Sequence, residues 1–462
     1  MQNLPKITLD TTLAELYAHG ANQKQIAVLL CAANSEIAPS SELSRNTKFL
    51  YQDSTFTSEP GHKNHDRYNR IQHSVAIKYL SLVPQHDAFA AGNMPAILLN
   101  LDKSKHSQEE SERTVGVLNG SQRPTLLFYS HPKDIVVGRN GFDLLAAKME
   151  FDDLEGVPLA VDLETHYFLN SKAALATSGL PSCTGFRGRW LKDHTERLLS
   201  TLSTQPLPIV LKNQQTFGGG GTFAITSPEE LAEVKSTLNS QVLPKLLSQV
   251  NSSNAHLKPA TMILSEMVTD PVGDWGLTFF VTKSGERIFL AVTQQIVDSS
   301  KAWIGSRISY SDQAQLKEKF MPIMHSIGAW LHRYSYYGPC GADILEIRSG
   351  RDVEANSTTL QIVDLNVRTS GSSVLALMSG HFSKQRGLHE ATSFSVTVEV
   401  TRMRFIEYFQ DRFRSGSWVI VSWYEDEEFG LSYGNVLIGA SNVEQLEEEV
   451  AKLKDLASEI HF

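Results

Sequence analysis

Cysteine is scarce in this chain. Cys31, Cys183 and Cys340 are the only three in 462 residues. They lie far apart and form no Cys-x-x-Cys pair, which argues against a disulfide framework and a structural zinc site and fits a reducing compartment. No apolar run reaches the ~18–20 residues of a membrane span. The N-terminal Met-Gln-Asn-Leu-Pro-Lys lacks the basic region and apolar core of a secretory signal. A cytoplasmic protein without a membrane partner is expected. Positive charge is not in excess either: 42 Lys and Arg stand against 51 Asp and Glu, a net charge of −9. That argues against a general nucleic-acid binder but permits a local basic pocket. There is no internal repeat, and no Gly-Lys-Ser/Thr follows a glycine run, which excludes a Walker P-loop.

What is present is ordinary globular composition, 41% hydrophobic and 20% charged. The length is too great for one core and points to roughly two to four domains. Thr12 to His19 reads as a short helix. Short apolar runs at 25–31, 96–101, 124–129 and 157–162 read as strands, separated by helical stretches such as 142–150, which together suggest an open α/β sheet. Residues 102–123 are charged and Ser-rich and read as a solvated loop. A helix is expected from Ser171 to Ser178, stopped by Gly179-Leu180-Pro181. Strands are expected at 208–212, 261–268, 277–283 and 287–294. Ser227-Pro228 should open one helix, and 314–336 another. A hairpin spans about 342–366. Trp418 to Trp423 reads as a strand, and a Glu- and Lys-rich helix begins at Asn442.

The richest stretch is Gln361-Ile-Val-Asp-Leu-Asn-Val-Arg368. Side chains alternate across a strand, so Asp364, Asn366 and Arg368 share a face. A buried polar stripe is costly without a partner. Carboxylate and carbonyl oxygens suit Mg²⁺, and Arg suits phosphate or carboxylate. A hairpin with its loop around Ser349-Gly350-Arg351-Asp352 could set Asp343 opposite Asp364, two carboxylates that repel unless a cation lies between them. Upstream, Lys212 lies in the apolar strand Pro208–Lys212, and a lysine there needs an anionic partner. The run Gly218-Gly219-Gly220-Gly221 follows, where glycine lets backbone N–H groups approach a polyphosphate. His381 reads as structural, Trp303 as a packing residue, and Glu425-Asp426-Glu427-Glu428 as a solvated acidic turn.

In order and spacing these motifs resemble the ATP-grasp superfamily over about residues 169–385. The matching pieces are Asn170-Ser171-Lys172 with Gly179-Leu180-Pro181, Ile209 to Lys212 with the glycine loop, Ile263 to Val268, and Asp343 with Asp364 to Arg368. The resemblance implies that Lys172 and Lys212 contact ATP phosphates and that Gly218 to Gly221 form a lid. Glu266, Met267 and Val268 would bind the adenine edge, and Asp274 the ribose. Asp343, Asp364 and Asn366 would hold Mg²⁺ (Mn²⁺ is an alternative), and Arg368 would stabilise the transferred phosphoryl group. Asp364 stands where most members of the superfamily have Glu. A finer resemblance, to pheganomycin-type peptide ligases, implies an α/β chain with a pre-ATP-grasp domain at 1–168, an ATP-grasp domain at 169–385 (lid about 169–262, metal-binding core about 263–385) and a small α/β domain at 386–462.

The expected function is an ATP-dependent ligase joining a small-molecule carboxylate to an amine. The resemblance also suggests a homodimer. The rivals are a phosphotransferase with a hydroxyl acceptor and a non-catalytic nucleotide-binding protein. A biotin carboxylase is disfavoured because no biotin-attachment domain is visible in the chain.

Overall fold

The computed structural model describes residues 4–19, 24–32, 46–51, 77–99, 105–182, 195–216, 221–297, 303–348 and 357–456. Four parallel strands form the first sheet: β1 (Ile26–Leu29), β2 (Pro95–Leu99), β3 (Thr125–Tyr129) and β4 (Leu144–Ala147), in the order β3-β2-β1-β4. Both faces are covered. Val28, Ala96 and Leu98 enter one apolar core, and Ala27, Leu29 and Ile97 enter another. Continuous apolar runs without alternation are what such burial requires. A three-stranded antiparallel sheet follows, built from β5 (Ile209–Asn213), β6 (Thr222–Ile225) and β7 (Met262–Glu266) with β5 central.

The third sheet has eight antiparallel strands. These are β8 (Gly273–Val281), β9 (Arg287–Val297), β10 (Trp303–Ser309), β11 (Gly338–Arg348), β12 (Thr358–Asn366), β13 (Glu390–Val398), β14 (Trp418–Asp426) and β15 (Leu431–Ala440). Their order is β12-β11-β8-β9-β10-β13-β15-β14. The helix Gln313–Arg333 lays Phe320, Met324, Ile327 and Leu331 on Leu277, Phe279 and Val281 of β8 and Val292 of β9. The last three strands join the same sheet through the β10–β13 pairing. No helix among the described residues is long and apolar enough to cross a membrane.

Three sequence expectations are corrected. Residues 142–150 are not helical. Leu144–Ala147 is β4, because pairing with β1 outweighs the helix propensity of Leu and Ala. Residues 157–162 form no strand, and Leu159 makes a single bridge to Leu145. The solvated loop at 102–123 contains the helix Lys105–Gly116, whose Glu110, Ser111 and Thr114 are buried.

Candidate active site

The site begins with the hairpin. Asp343 of β11 stands directly opposite Asp364 of β12, the expected register. Its turn lies outside the described residues. Past this pair the register slips by one, since Ile344 faces Ile362. Val363 is therefore the extra residue of a bulge, which turns its backbone away from the ladder. The Val363 carbonyl accepts a hydrogen bond from Lys212 Nζ at 2.9 Å. Lys212 is half-buried, with its neighbours Leu211 and Asn213 buried.

Lys172 reaches the same spot from another element. It is the first residue of the helix Lys172–Thr177, capped by the Ser171 hydroxyl, which accepts from Ala174 N at 3.0 Å. Its backbone N–H donates to Gln214 O just beyond β5. Its ammonium lies 2.5 and 2.6 Å from the two Asp364 oxygens. Burial raises the Asp364 pKa, but Lys172 and then Lys212 outweigh it, and the carboxyl is held below its ordinary value. Asp343 is the opposite case. Burial, then Asp364, then Asp274 push it up to about 7.

Asp274 belongs to the same face. In the β8–β11 register Asp343 faces Gly276 and Leu345 faces Asp274, so Asp274 and Asp343 sit diagonally on one side of the sheet. Gln295 of β9 donates through Nε2 to Asp343 Oδ1 at 2.9 Å. Its path crosses Gly276, where a Cβ would stand 2.7 Å from Gln295 Nε2 and 2.8 Å from Thr293 Oγ1. Sequence reasoning missed Gln295 and Gly276, because neither carries a motif.

Arg368 is buried just past the end of β12. Its Nη2 donates to Asn366 Oδ1 at 3.0 Å and its Nη1 to Asn170 Oδ1 at 2.6 Å. Asn170 also accepts from Val367 N. Asn170 stands in the Asn170-Ser171-Lys172 motif, but nothing in the sequence marks it as the fixed acceptor for Arg368. Below this segment His166 is wedged between the Val367 carbonyl, 2.7 Å from Nε2, and Glu150, 2.7 Å from Nδ1. Burial pulls the His166 pKa down, but Glu150 and the Val367 carbonyl outweigh it and the net direction is up.

The structure thus gathers Lys172, Lys212, Asp274, Asp343, Asp364, Asn366 and Arg368 around one hairpin. Glu266, Met267 and Val268 lie at and beyond the end of β7, with Glu266 exposed and Met267 N donating to Pro208 O. Gly221 has φ +65°, and its carbonyl accepts from Asn213 N. Gly218, Gly219 and Gly220 lie outside the described residues, as does Cys183. Cys31 and Cys340 are buried thiols. His381 is buried away from the hairpin, with Nε2 2.8 Å from Gly416 O and Nδ1 3.2 Å from Arg386 Nη1. The acidic turn is not wholly solvated: Asp426 is buried and accepts from Glu428 N and Phe429 N.

A carboxyaminoimidazole ribonucleotide synthase from Aspergillus clavatus, solved with ATP, superposes with a TM-score of 0.50 at 10% identity over 94% of this chain and 98% of that one. The fold is ATP-grasp. The ADP complex of the N5-carboxyaminoimidazole ribonucleotide synthetase PurK gives 0.48 at 15% identity, covering 78% and 89% of the two chains. Biotin carboxylase from Campylobacter jejuni gives 0.48 at 10% identity, covering 81% and 89%. No family model matches the chain. No curated protein matches it in sequence.

Proposed function

We propose that the protein is an ATP-dependent carboxylate–amine ligase, a cytoplasmic enzyme of the peptide- or amide-forming kind. The observation that carries this reading is the opposed pair Asp343 and Asp364, ringed by Lys172, Lys212 and Arg368. Oxygen donors alone, with one carboxyl pushed up to about 7 by its acidic neighbours, fit a hard divalent cation such as Mg²⁺ or Mn²⁺. Asp343, Asp364 and Asn366 would hold it, and it would supply charge neutralisation beside the polyphosphate. The divisions at 168/169 and 385/386 belong to this proposal, as does assembly as a homodimer.

The reaction balances as follows. A carboxylate oxygen of the substrate bonds to the γ-phosphorus of ATP and the bond to the β-phosphate oxygen breaks, giving an acyl phosphate and ADP. The amine nitrogen then bonds to the acyl carbon, phosphate leaves with the former carboxylate oxygen, and the amine loses a proton. The protein's part is positioning and electrostatics. Lys172 and Lys212 offset phosphate charge, and Arg368, fixed by Asn170 and Asn366, meets the charge that grows on the transferred group. The glycine loop 218–221 would close over the phosphates and exclude water from the acyl phosphate. Glu266, Met267 and Val268 would take the adenine edge and Asp274 the ribose.

A screen for ADP release over amino acids and simple carboxylic acids, with hydroxylamine as acceptor, tests the reading. Once a substrate is found, Asp364→Asn and Lys212→Ala should each lower turnover on the order of 10²–10³-fold. Unchanged turnover in folded variants overturns the assignment.

A further inference from the structure

A second feature adjoins Arg368. A small cleft, partly open to solvent, lies between the first sheet and the start of β11. Its body is apolar: Leu13, Tyr17, Leu30, Val161 and Tyr337 form walls. These come from the N-terminal helix Leu13–Ala18, the C-terminal end of β1, the loop after β4 and the approach to β11. Its polar end is built by Arg368 and Thr369 with Lys148 and His166.

The charges at that end are all of one sign. No Asp or Glu is among the residues that line the cleft. The acidic counterparts stand behind the wall. Lys148 is ion-paired with Asp87 and also donates to the Thr369 carbonyl and hydroxyl at 3.1 and 3.0 Å. His166 rests on Glu150. Burial lowers the His166 pKa, but Glu150 and the Val367 carbonyl raise it and the net direction is up, which favours the cationic ring. An apolar cavity ending at the Arg368 guanidinium, with Lys148 and His166 already paired behind the wall, matches a ligand with an apolar body and a single anionic head. The anionic head would lie beside Arg368, whose guanidinium reaches Asn366 of the metal-binding set.

We infer that this cleft holds the carboxylate substrate, and that the substrate is a small acid with a compact aliphatic or aromatic body rather than a hydroxylated or dicarboxylic one. The inference rests on the ligase reading and narrows it. The apolar walls supply affinity, and Arg368 sets the carboxylate at the junction with the hairpin.

Calorimetric titration of the full chain tests this, with Mg²⁺ and a non-hydrolysable ATP analogue present and then absent. The probes are isovalerate and phenylacetate against succinate and glycerate. The expected result is that the two apolar acids bind at least about tenfold tighter than the two polar ones, the discrimination that burying a few methylenes gives. Ala160→Phe, a change in the half-buried wall, should weaken isovalerate and phenylacetate at least about tenfold. The nucleotide analogue should still bind that variant, which reports that it is folded. Succinate or glycerate binding as tightly as the apolar acids overturns the inference, and so does absence of apolar-acid binding in both conditions. The comparison of acids on the unsubstituted protein stands whether or not the variant folds. Failure of the nucleotide analogue to bind the unsubstituted chain counts against the ligase reading instead, so the two failures are distinguishable.

Discussion

Asp343 carries a charge that its surroundings oppose. Its folded-state pKa is pushed up to about 7 from 3.8, so the folded protein prefers it protonated. Stability from this group is complete below about pH 4 and is lost as the pH rises toward 7. Asp343→Asn keeps an acceptor for Gln295 and removes the charge. At about pH 8 it should raise the unfolding free energy of the nucleotide-free protein by roughly 1–3 kcal/mol, read by urea denaturation, while abolishing ADP release. His381 gives the reverse sign. Burial and then Arg386 hold its pKa down at about 4, against 6.5 ordinarily. Its contribution is complete above about pH 6.5 and falls as the pH drops toward 4, by on the order of 3 kcal/mol in all. Urea midpoints at about pH 7 and pH 4.5 should show that loss, and His381→Gln should flatten it.

At the scale of elements, the hairpin and the helix ends decide the site. Gly276 leaves room for Gln295 to reach Asp343. Gly276→Ala should displace that amide and lower ADP release about tenfold or more, with a change in stability of only about 1–2 kcal/mol. Thermal unfolding and the ADP assay on the same variant separate the two effects. The strand face was legible in the sequence, because alternation sets Asp364, Asn366 and Arg368 on one side; Asp343 does face Asp364, but a symmetric turn at 349–352 would have paired residue 343 with residue 358. The bulge at Val363 was not legible, since a one-residue slip leaves no compositional trace. The helix Lys105–Gly116 was hidden for another reason. Its buried face includes Glu110, a residue that reads as solvent-facing until Arg402, 292 positions later, is seen to neutralise it. Lys212 and Arg368 carried chemical signals of their own, and Lys172 came only through the resemblance. Gln295 and Asn170 are ordinary amides whose roles exist only once β9 and the helix Leu163–Leu169 are docked.

On the scale of the whole molecule, the C-terminal strands are part of the large sheet and are not a loose appendage. β13 pairs with β10, β14 packs on the helix Lys105–Gly116, and Arg402, at the start of the helix Arg402–Tyr408, forms a buried ion pair with Glu110 of that helix at 2.9 Å. Arg402 Nη1 also donates to Thr114 Oγ1 at 2.9 Å. Arg402→Ala would leave Glu110 buried with the half-exposed Arg113 as its remaining ion-pair partner. A loss of about 3 kcal/mol is expected, read by urea denaturation, because stripping one member from a buried pair strands the other. In the proposed reading, substrate body and phosphate chemistry would meet at Arg368, which lines the apolar cleft and lies just past the end of β12.

The central claim is that a carboxylate is activated by ATP at the Asp343–Asp364 hairpin. Transfer of oxygen-18 from a labelled carboxylate substrate tests it most directly. With Mg²⁺, ATP and hydroxylamine present, one labelled oxygen should appear in the released phosphate for each ADP formed, and Asp364→Asn should abolish it. Unlabelled phosphate together with a stable phosphorylated product would contradict the claim and make the protein a hydroxyl phosphotransferase.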